Sequence, residues 1–173
     1  VSWVAKSDLG TLTGAEVAGS PAGVMGDAMF SAYYVNELLL HFLHRYDPQP
    51  EIFALYEEVI KALLVTDNVA AALRSFELEF LSLLGYAVNL DHEFGSRDPL
   101  DNDQDYEYRM EQGPVAVVRS GPLVFSGAVY REIAAQRFDN PDILRAANRL
   151  LREIIAFHLG GKELKSRKVM IEL

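Results

Sequence analysis

Cysteine is absent from the 173 residues, which excludes disulfides, thiol catalysis and thiolate-held zinc, and suits a reducing cytoplasm. Long apolar runs are missing too. Stretches such as residues 38–40 and 69–73 are interrupted far short of the roughly 20 residues that cross a bilayer, so neither a span nor a membrane anchor is expected. The chain opens on Val1, with no charged stretch, apolar stretch and small-residue cleavage site in succession. We therefore expect Val1 to be neither a natural start nor part of a signal peptide, with further sequence before it. No Gly-x-Ser-x-Gly elbow and no Gly-x-x-x-x-Gly-Lys loop occurs, which removes the commonest settings for a nucleophilic serine and a phosphate cradle. Positive charge is scarce: at a net charge of -9, this stretch alone is not expected to bind nucleic acid strongly, because phosphate affinity comes mainly from Lys and Arg.

What is present is a half-apolar composition, ample for one packed core, and an uneven spread of charge. Residues 91–111 carry eight carboxylates against Arg97 and Arg109. Residues 145–168 carry seven Lys or Arg against two Glu, so the basic end is expected to touch something acidic.

Residues 1–19 hold β-branched and aromatic residues in short runs broken by Gly10 and Gly14, which suits strands and turns and resembles the tail of a β-domain. Residues 20–26 are rich in Pro and Gly and form a candidate boundary. The period then changes to that of a helix. Asp27 is placed to cap a helix over residues 28–45, Pro50 to open one over residues 51–65, and Asp67 to cap one over residues 68–84 that Gly85 ends. Short connections between them imply an antiparallel bundle. Residues 90–105 read as an exposed acidic loop. A small hairpin follows, residues 106–110 and 115–119 about the turn 111–114, then helices over 127–136 and 141–159, the latter closed by Gly160 and Gly161.

Few side chains suggest chemistry. Asp101, Asp103 and Asp105 imitate the start of a calcium loop, but Tyr106 stands where the sharp turn needs Gly and Gln112 where the bidentate Glu belongs, so a solvated loop is expected. Glu37, His41 and His44 lie at helical spacing and offer a metal face that a metal-dependent hydrolase would use; the plainer reading is surface histidines. Arg74, among Leu73, Phe76, Phe80 and Leu84, is either an exposed arginine on a polar face or the cation of a groove for a peptide bearing apolar side chains and a carboxylate. Lys162, Lys165 and Arg167, after the last helix, are either a solvated terminus or contacts for phosphate or an acidic tail.

In order and spacing, five pieces resemble the RecO family of bacterial recombination mediators: residues 34–39 (YVNELL), Asp47-Pro48 with Pro50 and Phe53, Leu73-Arg74 with residues 76–78 (FEL), residues 84–86 (LGY), and residues 158–167 (HLGGKELKSR). The resemblance implies a mainly α fold, an antiparallel helical bundle with a small β-hairpin insertion, preceded by the last strands of a truncated OB-type β-barrel. Residues 1–20 would be that remnant, and residues 21–173 the helical domain, with a zinc-finger-like insertion at about 90–126 that lacks cysteines and holds no metal. It also implies a cytoplasmic, nucleoid-associated repair protein without catalysis or cofactor. Its partners would be the C-terminal tail of single-stranded-DNA-binding protein, RecR, and single- and double-stranded DNA, the last mainly through the barrel. The resemblance further implies that, together with RecR, the protein would support strand annealing and RecA loading. Arg74, with Phe76 and Phe80, would take the tail.

Overall fold

The computed structural model describes residues 1–5, 10–16, 23, 26–86 and 88–166. Among the described residues five helices dominate, α1 (Asp27–Phe42), α2 (Pro50–Val65), α3 (Val69–Leu83), α4 (Gly127–Ala134) and α5 (Pro141–His158), with five short strands, β1 (Ser2–Ala5), β2 (Gly10–Gly14), β3 (Asp105–Arg109), β4 (Gly113–Ala116) and β5 (Val124–Ser126). The mainly α class expected from the sequence is what is found, with small sheets beside it.

Strands β1 and β2 pair antiparallel, Ala5 opposite Gly10 and Trp3 opposite Leu12, and their side chains are exposed. Helices α1, α2 and α3 then pack on one another, as short connections demand, and α3 also packs on α5. Pro50 opens α2 at a position where its missing N–H and fixed φ are no handicap. Two expected caps are displaced by one residue. Gly26, at φ 62, precedes α1, and Asp27 is already inside the helix. Asn68, rather than Asp67, caps α3, its Oδ1 accepting from Ala71 N at 3.0 Å. Helix α1 also stops at Phe42, with Leu43 extended, short of the expected Arg45.

The core is continuous. Tyr34, Val35 and Leu38 of α1, Ile52, Val59 and Leu63 of α2, and Leu73, Phe76, Phe80 and Leu81 of α3 join Ala147, Leu150, Leu151 and Ile155 of α5, all buried.

Between α3 and α4 lies an antiparallel sheet in the order β4-β3-β5. Strand β3 alternates in burial, with Tyr106 and Tyr108 facing inward and Glu107 and Arg109 outward. Tyr108 stacks on Tyr130 of α4 at 6.4 Å, and Phe125 meets the same ring edge-on at 5.7 Å. The hairpin turn falls one residue earlier than its chemistry suggested: Arg109 pairs with Gly113, so residues 110–112 make the connection and Pro114 lies in β4. Strand β5 was not anticipated, because three residues are too few to show a period.

The acidic stretch before the sheet is less open than its composition implied. Leu90 and Leu100 are buried, His92 and Pro99 form an antiparallel bridge, and Asn89 accepts from His92 N at 3.1 Å and donates to His92 O at 2.8 Å. Its two leucines face the core, which pulls the backbone between them into a closed loop.

Candidate partner-binding site

Arg74 is not the exposed arginine that one of its two sequence readings offered. It is 7% exposed, and its guanidinium reaches Glu77, itself 0% exposed, through Nη2 at 2.7 Å. The other amino group, Nη1, donates to Asn148 Oδ1 of α5 at 2.5 Å. Tyr34 of α1 donates its hydroxyl to the same Glu77 Oε1 at 2.5 Å. One buried carboxylate thus joins α1 to α3, and one arginine carries the connection to an exposed residue on α5.

Phe76 and Phe80 do not share that surface. On a helix turning about 100° per residue, Phe76 sits about 160° around α3 from Arg74. The two phenylalanines stack on each other at 5.4 Å, and both are buried. Phe76 faces α2 and Arg74 faces α5.

The face of α5 that meets Arg74 is cationic. Arg145, Asn148, Arg149 and Arg152 are all exposed and lie at spacings of three and four residues, one stripe along the helix. Arg149 lies over the Phe125 ring at 5.1 Å, a cation–π contact that fixes its stem against the sheet. Arg145 pairs with Asp142, and Arg152 approaches Glu153 at 3.9 Å. Arg149 and Arg152 share with Pro122, Leu123 and Glu153 a recess of about 390 Å3. This stripe was visible in the sequence only as net positive charge. Its convergence with Arg74 depends on the α3–α5 packing.

Glu37, His41 and His44 do not form a metal face. Glu37 accepts three hydrogen bonds from the end of the chain, from Lys165 N at 2.8 Å, Ser166 N at 2.9 Å and Ser166 Oγ at 2.6 Å. Burial pushes its pKa up, but the Ser166 hydroxyl and the two backbone N–H groups, with His41, outweigh this and hold the carboxyl below its ordinary range. His41 Nε2 is 3.9 Å from Glu37 Oε1, whereas His44 lies beyond the end of α1. Among the described residues no group of three His, Asp or Glu is arranged to hold a metal.

Lys162 and Lys165 are exposed, and Leu164 between them is buried. Gly160 and Gly161, at φ 60 and 88, turn the chain sharply after α5. That turn brings Lys165 and Ser166 back onto α1. Arg167 lies outside the described residues.

Residues 25–168 match the family described as Recombination protein O C terminal. The chain belongs to the RecO family. It is 38% identical over 175 residues to DNA repair protein RecO of Nitrosococcus oceani, covering 100% of this chain and 71% of that protein. It is 38% identical to DNA repair protein RecO of Photobacterium profundum, covering 99% of this chain and 72% of the relative. The protein of that name in Methylococcus capsulatus is 37% identical, with 98% and 69% covered. Membership of the RecO family assigns the chain to DNA repair and recombination. Two of the stretches that carried the RecO resemblance, residues 34–39 and 158–167, prove to be the halves of one contact, since Glu37 lies in the first and Ser166 in the second.

Proposed function

We propose that the chain is the helical part of a recombination mediator that holds the C-terminal tail of single-stranded-DNA-binding protein, with Arg74 as its anchor. The observation that supports this most directly is the Arg74 guanidinium, fixed by Glu77 within the core and meeting α5 at Asn148, on a face that also carries Arg145, Arg149 and Arg152. A buried counterion holds an arginine in one geometry, so that ordering it on binding loses little entropy. A tail that ends in acidic residues, then apolar ones and a free carboxylate matches a row of guanidiniums beside a recess walled by Pro122 and Leu123. Phe76 and Phe80 contribute from the opposite side of α3, by setting the helix against the core. Lys162, Lys165 and Arg167 are secondary contacts for acidic groups.

In this reading the protein acts at the nucleoid in the cytoplasm by docking and transforms no substrate. Strands β1 and β2 are the end of an OB-type barrel that makes most of the contact with single- and double-stranded DNA. Together with RecR the whole protein anneals strands and loads RecA.

Fluorescence anisotropy with a labelled tail peptide tests the site. Arg149→Ala with Arg152→Ala, both outside the buried pair, is expected to weaken binding about tenfold with the melting temperature unchanged. Arg74→Ala is expected to weaken it by about 2 kcal/mol or more at temperatures where the variant is still folded. Wild-type affinity in the α5 double variant would place the tail elsewhere, and wild-type affinity in folded Arg74→Ala would remove Arg74 from the site.

A further inference from the structure

A second recess lies on the other side of α3. It is a groove of about 630 Å3 between α2 and α3. Its floor is apolar, from Leu55 and Val59 of α2 and Phe76 and Leu83 of α3. Its rim holds Glu51 and Glu58 on α2 and Glu79 on α3, all exposed, and no Lys or Arg lines it.

Two observations characterise this rim. Some carboxylates elsewhere have a cation beside them: Glu57 faces Lys61 at 3.7 Å, Glu107 faces Arg119 at 2.7 Å, and Glu132 faces Arg137 at 2.5 Å. Glu51, Glu58 and Glu79 form no ion pair among the described residues. Moreover, they flank an apolar floor, where a field from three like charges is stronger than over open water. Glu51 and Glu58 are also seven residues apart, so they stand on one side of α2 about 10 Å from each other along the groove.

We propose that this groove is a second docking surface, for an amphipathic helix of a protein partner that carries apolar side chains at spacings of three and four on one face and lysines or arginines flanking them. The groove's length along two packed helices and its apolar floor match the helix-in-groove mode of recognition. The sign of the rim selects the partner: nucleic acid and the acidic tail are repelled. The two sites use opposite faces of α3 and opposite charge, so either stands without the other.

The probe is a fluorescent helical peptide of about sixteen residues, with leucines at those spacings and four flanking lysines, compared with the same peptide carrying glutamates for the lysines. The whole chain is expected to bind the lysine peptide at least about tenfold more tightly, with the preference falling as salt is raised from roughly 50 to 300 mM. Glu58→Lys combined with Glu79→Lys is expected to invert the preference without moving the melting temperature, because both positions are exposed. The proposal is overturned if the lysine peptide does not bind by about 1 mM, if wild type binds both peptides alike, or if the charge reversals leave the preference intact. Sedimentation gives the last arm: a dimer that the reversals dissociate would make the occupant a second copy, which also overturns it.

Discussion

Glu37 stands one turn before His41 on α1, a spacing that suggests a metal ligand, yet its carboxylate is taken up by the backbone and hydroxyl of residues 165 and 166. It holds the basic end on the first helix by accepting these hydrogen bonds. Because its folded-state pKa lies below the ordinary value of 4.5, its contribution to stability is fully present above 4.5 and is lost as pH falls from there through the lower folded-state value. Glu37→Ala is expected to lower stability at neutral pH by about 1–3 kcal/mol, measured by urea unfolding. The gap between variant and wild type should close as the pH is taken below about 4.5. A gap of the same size at acid pH would mean that the charge of Glu37 is immaterial. The side chain's type and spacing were legible in the sequence; its partner, more than a hundred residues away, was not.

At the level of elements, the start of α4 depends on one close approach. A Cβ on Gly127 would lie 2.0 Å from the carbonyl oxygen of Asp101, because the acidic loop crosses directly over the helix start. That crossing also orders the loop: Gly127 N donates to Gln104 O at 3.0 Å and Ala128 N to Asn102 O at 3.2 Å. Gly127→Ala is therefore expected to destabilise by at least about 1–3 kcal/mol in denaturant unfolding, whereas Gly23→Ala, with open space around it, should be neutral. Equal effects at the two positions would refute the steric argument. The helices themselves were readable from period and punctuation to within a few residues, since Pro50, Pro141 and Gly85 mark their ends chemically. The third strand and the closed acidic loop were not, because β5 is short and Leu90 and Leu100 are too far apart in sequence to form a pattern.

Over the whole molecule, three helices meet at one buried charge. Tyr34 of α1 and Arg74 of α3 share Glu77, and Arg74 reaches Asn148 of α5, so the proposed tail site and the core are built from the same atoms. Removing one partner of such a pair leaves an uncompensated buried charge, so Arg74→Ala is expected to cost about 3–5 kcal/mol, while Arg74→Met combined with Glu77→Leu should cost clearly less. Additive losses in that cycle, followed by denaturant unfolding, would show that the two groups do not act as a pair. The sequence by itself determined the class of the fold, the number and approximate limits of the helices, and the family, because these follow from local period, capping chemistry and motif order. Only the tertiary structure decided which way Arg74 points, that Phe76 faces a different groove, that Glu37 holds the end of the chain, and that the arginines of α5 gather beside it. Those are matters of which helix face meets which neighbour, and a difference of two residues rotates a side chain to the opposite side of its helix.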